Sequence, residues 1–250
     1  MSKLYIGTSG YSYVHWEKGV FYPKDLPKAK QLQYYASCFN TVELNSPFYH
    51  LPTAETFSNW RKKVPEGFIF AVKVSRFITH IKRLSQCKSA WKTFLERAVQ
   101  LKEKLGPFLF QFPPSFSPTD KNIRNLKNFL KILSIKSDLS FRYAFEFRHP
   151  AWCQNKIYDI LRKYKIGWVI ADSPSYPKAE VITSNFVYIR MHGSRILFSS
   201  DYTEEELKDL SRKIRRYLKQ KLDVYCYFNN DAHGYAPKNA KTLCEMLKGR

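Results

Sequence analysis

The chain has no apolar run approaching the roughly 20 residues that cross a bilayer, so no transmembrane helix is expected. CxxC pairs are also missing. The five cysteines (Cys38, Cys87, Cys153, Cys226, Cys244) are odd in number and far apart, which argues against a zinc knuckle and a disulfide framework. No GxGxxG or Walker-type glycine loop is available to cradle a nucleotide. HExxH and GxSxG are absent, and Gly7-Thr8-Ser9-Gly10 has only a loose likeness to a nucleophile turn. The opening Met1–Ile6 has no signal-peptide core. Acidic residues are scarce: 21 Asp and Glu face 42 Lys and Arg, a net charge of +21. The simplest expectation is a soluble cytoplasmic protein without a membrane partner.

What the chain does have is a series of short hydrophobic runs that stop on polar clusters. They are Leu4 to Ser9, Thr41 to Asn45, Phe68 to Ser75, Phe108 to Gln111, Tyr143 to His149, Gly167 to Asp172, Phe186 to His192 and Asp223 to Asp231. Helical segments fall between most of them: Pro27 to Phe39, Thr53 to Val64, Ser89 to Lys104, Thr119 to Leu133, Asn155 to Lys165 and Ala236 to Leu247. After Thr203, a capping box with Glu206 opens a further helix with an apolar stripe of Leu207, Leu210, Ile214 and Tyr217. Alternating strands and helices imply parallel strands joined by right-handed crossovers. The fold class is therefore α/β, a single TIM-type (β/α)8 barrel spanning residues 1–250. It is irregular between strands six and seven, where Ser173-Pro174-Ser175-Tyr176-Pro177-Lys178 leaves no full helix.

Side chains alternate across a strand, so each run divides into two faces. Phe145 and Phe147 oppose Ala144, Glu146 and Arg148. Val187, Ile189 and Met191 oppose Tyr188, Arg190 and His192. The uniformly apolar faces should meet the helices and the mixed faces should point inward. This collects Glu43, Asn45, Lys73, Gln111, Glu146, Arg148, Asp172, Arg190, His192, Asn229 and Asp231 at one barrel mouth, where such folds place their chemistry. Unpaired buried charge is costly, so these groups must pair, hold water or bind a ligand.

Lys and Arg suit an oxyanion or phosphate, whereas carboxylates with an imidazole suit proton transfer or a hard divalent cation such as Mg or Mn. Glu146, Asp172, His192, Glu43 and Asp231 are thus the catalytic candidates. Lys73, Arg148, Arg190, Asn45, Gln111, Asn229 and Asn230 are the binding candidates, and His80 joins them just beyond strand three. His80, His149 just past strand five, and His233 near Asn230 and Asp231 are second-rank candidates. Tyr11, Tyr13 and Trp16 could wall the mouth and stack on a planar or sugar ring, and the amides of the adjoining glycine-rich turn could hold an anion. Outside the barrel, Lys208, Arg212, Arg215 and Lys219 form a basic helical stripe that would attract a polyanion.

Several motifs taken together resemble the YecE-like family, domain of unknown function seventy-two. They are Gly7-Thr8-Ser9-Gly10-Tyr11-Ser12-Tyr13 with Trp16 and Phe21-Tyr22-Pro23, Asn40 to Asn45, Phe48-Tyr49, Ile78-Thr79-His80 and Gln111-Phe112-Pro113-Pro114. Glu146 to Pro150, Arg190-Met191-His192-Gly193 and Phe228 to Asp231 complete the set. The resemblance implies a TIM-type barrel but no assigned activity. Pro47 and His50 stand where such proteins commonly carry Thr and Arg, so a contact made by that Arg would be weaker here. Members have been likened to metal-dependent barrel endonucleases. This chain lacks the additional histidines that a trinuclear zinc site would need.

The leading expectation is an enzyme, such as a phosphoester hydrolase or phospho-sugar enzyme, acting on an anionic, phosphate-bearing small molecule at the mouth. The alternative is a nucleic-acid-binding protein, catalytic in a nuclease-like way or not, that uses the basic outer helices.

Overall fold

The computed structural model describes residues 2–134 and 141–248, so Met1 of the opening segment lies outside it. Its strands are β1 (Leu4–Thr8), β2 (Thr41–Leu44), β3 (Ile69–Lys73), β4 (Leu105–Phe112), β5 (Tyr143–Phe147), β6 (Gly167–Asp172), β7 (Phe186–Met191) and β8 (Asp223–Phe228). Its α-helices are α1 (Gln31–Cys38), α2 (Ser46–Tyr49), α3 (Ala54–Lys62), α4 (Lys88–Ala98), α5 (Asp120–Leu133), α6 (Asn155–Lys163), α7 (Glu204–Lys219) and α8 (Tyr235–Lys248). All neighbouring strands run parallel in the order β1-β8-β7-β6-β5-β4-β3-β2, making a nearly closed barrel. As the sequence predicts, residues 173–185 contain no helix.

Alternation along each strand sorts the core into two parts. Val42, Leu44, Phe70, Val72, Phe145, Phe147, Val187, Ile189, Val224 and Phe228 join the large outer cluster with the helices. Tyr5, Ala71, Leu109, Ala144, Val169, Tyr188 and Tyr225 form a smaller cluster inside the barrel. Much of the outer layer is aromatic. Phe147 stacks on Trp152 at 4.5 Å and on Phe112 at 4.9 Å, offset geometries that add to simple area burial.

Local signals set the helix ends. In α7, Thr203 Oγ1 accepts from the Glu206 amide and Glu206 Oε2 accepts from the Thr203 amide, closing the expected capping box. One segment differs from the sequence reading. The helix expected over Ser89 to Lys104 stops at Ala98, and a tighter turn follows with Lys102 at φ 49°. That kink buries Lys104, whose Nζ donates to the Arg61 and Val64 carbonyls at 2.9 and 2.5 Å beside the end of α3. A cation there satisfies orphan carbonyls at the negative end of a helix.

The barrel closes between β1 and β2 through side chains more than through a ladder. Only Ser9 bridges Glu43, with the Gly10 amide donating to the Glu43 carbonyl at 2.8 Å. Lower down, Asn40 Oδ1 accepts from the Ile6 amide at 3.2 Å. The Tyr35 hydroxyl accepts from the Thr8 amide at 2.8 Å and donates to the Thr41 carbonyl at 3.1 Å. Gly7 makes this approach feasible, because a Cβ there would meet the Thr41 carbonyl oxygen at 2.1 Å. Gly7→Ala should therefore lower stability by about 3 kcal/mol through overpacking of the seam. Urea denaturation reads this directly, and an unchanged midpoint would show that the seam yields freely.

Candidate active site at the barrel mouth

Alternation brings Glu43, Lys73, Gln111, Glu146, Arg190 and His192 to the inner face near the C-terminal ends of five strands. Arg190 is the hub. Its Nε and Nη2 contact Glu43 at 3.0 and 2.7 Å, its Nη1 contacts Glu146 Oε2 at 2.5 Å, and Nη2 also donates to Ser9 Oγ at 2.9 Å. Ser9 Oγ and the Tyr188 hydroxyl, the latter at 2.7 Å, also donate to Glu43. The other Glu146 oxygen takes a hydrogen bond from Arg148 Nε at 3.0 Å. Arg190 and Glu43 are 1% and 0% exposed, so these charges rely on each other rather than on water. Burial alone would raise both carboxyl pKa values. Arg190 foremost reverses this, holding Glu43 below and Glu146 well below the ordinary carboxylate range.

His192 is also buried. Its Nδ1 lies 3.0 Å from the Asn229 amide nitrogen, and its Nε2 lies 3.2 Å from Glu146 Oε1 without hydrogen-bond alignment. Burial lowers the pKa of this imidazole, opposed by Glu146.

Above this lattice lies a cavity of about 910 Å³. Tyr11, Tyr13, Phe48, Tyr49, Trp60 and Phe198 supply its aromatic wall, and Asn45, Lys73, His80, Gln111, Arg148, Asn229 and Asp231 its polar one. Two buried polar atoms in that lining, Gln111 Nε2 and Asn45 Oδ1, have no partner among the described residues. Arg148 is held by Glu146 and by the Tyr176 hydroxyl, leaving Nη2 without a hydrogen bond among the described residues. Burial, with Arg190 next, lowers Lys73 to about 7. Burial, with Lys73 next, lowers His80 to about 4, and burial raises the Asp231 carboxyl to about 6 against the opposing His15. Asp231 accepts from the Trp16 indole N–H at 2.6 Å and lies 2.9 Å from His15 Nε2.

Not every sequence candidate reaches this cavity. Asp172 lies on the outer face of β6, because it is Ala171 that pairs with inward-facing Arg190. It contacts Lys178 and the Tyr202 hydroxyl, both at 2.8 Å, beneath α7 instead. Asn230 faces away as well and bonds Ser200 and Asn239. Trp16 is fully buried, so it has no open face on which a ring could stack. Arg190 lines the cavity but places four hydrogen bonds on Glu43, Glu146 and Ser9, and both Glu43 oxygens are taken. Glu43 and Glu146, two of the carboxylates that would suit Mg or Mn, are thus engaged by the arginines. Among the described residues no group of three or more His, Cys, Asp or Glu is gathered for a metal ion. His149 caps a local turn, His233 and His50 are exposed, and Pro47 is buried in the first turn of α2.

The sequence reading also missed cavity residues. Phe48 and Tyr49 follow β2 directly and were legible as mouth positions. Trp60 on α3 and Phe198 beyond β7 carried no periodic signal.

An eight-stranded parallel barrel with its charged groups at the C-terminal ends defines an α/β protein of the TIM-like class. Residues 5–250 match the family described as "Protein of unknown function DUF72", and the chain belongs to that family. It is 31% identical over 272 residues to UPF0759 protein YecE of Escherichia coli O157:H7, covering 98% of this chain and 93% of that protein. It is 27% identical over 277 residues to UPF0759 protein YunF of Bacillus subtilis (strain 168), covering 98% and 94%. A crystal structure of a DUF72 family protein from Thermotoga maritima MSB8 superposes with a TM-score of 0.85 at 30% identity, covering 98% and 99% of the two chains. No helix among the described residues is long and apolar enough to cross a membrane.

The Lys73 shift has a consequence for stability. An unfolded lysine, near 10.5, holds its proton more tightly than the buried one near 7. The unfolded chain therefore binds more protons between those values, and stability rises with pH across that window. Lys73→Met removes the penalty, so its gain in stability should be about 2–4 kcal/mol larger at pH 6 than at pH 10. Urea denaturation at both pH values checks this, and an equal change would contradict the burial of a charged amine.

Proposed function

We propose that this protein is an enzyme acting on a small anionic, phosphate-bearing molecule at the barrel mouth. One observation carries the reading: donors without partners meet in an aromatic-walled cavity of about 910 Å³, within the range typical of small-molecule sites. Arg148 offers its uncommitted Nη2 and Gln111 its unpartnered amide, and a phosphate could take both with the Lys73 amine beside it. Aromatic side chains such as Tyr11 and Trp60 would hold the rest of the molecule.

Proton transfer in this reading falls to groups that change charge near neutrality. Asp231, raised to about 6, fits that role better than Glu43 and Glu146, which Arg190 keeps ionised; His80, lowered to about 4, is neutral at pH 7 and can serve as a proton acceptor. The Arg190 lattice then acts as a rigid floor that positions Arg148 and His192.

The alternative, a nucleic-acid surface on the outer helices, has weaker support. On α7, Lys208 pairs with Glu204 and Glu205, Arg212 pairs with Asp209, and Arg215 is turned to the Met246 carbonyl. The stripe is partly neutralised within its own helix.

The two readings separate in one titration. Binding of inorganic phosphate, followed by phosphorus NMR, should weaken about tenfold or more in Arg148→Gln, corresponding to the loss of one charge-assisted contact. The K208Q/R212Q/R215Q variant should bind as the parent does. The reverse pattern would transfer the anion site to the outer helix.

A further inference from the structure

Among the cations lining the cavity, Lys73 alone has no hydrogen bond or ion pair among the described residues. It closes β3, where alternation turns it inward with Ala71. Its Nζ sits over the Phe48 ring, 4.1 Å from the centroid, and the residue is 8% exposed yet still reaches the cavity. The charged and titratable groups facing it are Arg190 on β7, Glu43 on β2, Glu146 and Arg148 at β5, and His80 just beyond β3. Both glutamates are already bound by the two arginines, so neither holds the ammonium. A lysine kept only as a phosphate anchor would gain from staying charged. Here burial and two guanidinium neighbours work against the charge, bringing the amine to about 7.

We propose that Lys73 is a nucleophilic amine that forms an imine with the carbonyl carbon of an aldehyde or ketone whose anionic group rests on Arg148. This depends on the anion-binding reading of the same cavity. In the step, the nitrogen lone pair bonds the carbonyl carbon, and the C=O π pair moves to oxygen, which takes up a proton. Nitrogen gives up a proton to complete the carbinolamine. Loss of the hydroxyl as water, with a second proton leaving nitrogen, forms the C=N bond. No oxidant or reductant is consumed. His80 and Asp231 line the same cavity and can exchange the protons.

The test uses the full-length protein and equimolar pyridoxal 5′-phosphate at pH 7, followed by borohydride reduction and peptide mass mapping. Labelling at Lys73 should exceed that at any exposed lysine by about tenfold or more, since an ordinary lysine is almost wholly protonated at this pH. Excess inorganic phosphate should suppress it, and Lys73→Arg should remove it while retaining the charge. A parallel titration with pyridoxine 5′-phosphate, which has an alcohol in place of the aldehyde, measures binding without imine formation. If that compound binds in an Arg148-dependent way but label spreads evenly over surface lysines, the nucleophile assignment is overturned and anion binding stands. If neither compound binds, both readings fail together.

Discussion

A guanidinium held between two carboxylates inside a barrel organises nearly everything else at the mouth. Arg190 reaches from β7 to Glu43 on β2 and to Glu146 on β5, so three strands that are not neighbours in the sheet are tied across the interior. Removing such ions from water costs several kcal/mol apiece. That cost is offset only because the pair with Glu43 is two-pronged and the remaining lone pairs go to Ser9, Tyr188 and Arg148. Two negative and two positive groups balance within the lattice, and Lys73 is left over. Burial first, and the cations around it second, lower Lys73 and keep His80 neutral, while the Glu146 and Tyr176 contacts leave Nη2 of Arg148 open.

The same cross-ties help where the sheet is weakest. β1 and β2 meet with a single bridge, and the seam depends on Tyr35, Asn40 and the missing Cβ of Gly7. Ser9 and Glu43, the bridged residues, are also the ones that Arg190 engages. Closure of the barrel and assembly of the site therefore share residues, and moving β2 out of the seam would expose a buried carboxylate.

The barrel was legible because most strands alternate cleanly between apolar and mixed faces, and the missing helix was legible from Pro174 and Pro177. Site parity was harder. The run from Gly167 to Asp172 contains no charged residue before its end, so nothing marks which face turns inward, and Asp172 falls on the outer one. Asn229, Asn230 and Asp231 are consecutive polar residues, so polarity could not separate the inward Asn229 from the outward Asn230. Trp16 lies among aromatic loop residues, and only packing distinguishes core from wall. Arg190 was correctly gathered into the mouth with its carboxylates. Three of its hydrogen bonds go to those carboxylates, a pairing between distant strands that depends on barrel register, which no local pattern encodes.

Urea denaturation of Arg190→Met at pH 7 tests the arrangement most directly. Two buried carboxylates would lose their shared partner, and stability should fall by at least about 3 kcal/mol relative to the parent protein. A loss below about 1 kcal/mol would mean that water or rearrangement satisfies Glu43 and Glu146 equally well, and the guanidinium would no longer be the organising group of this mouth.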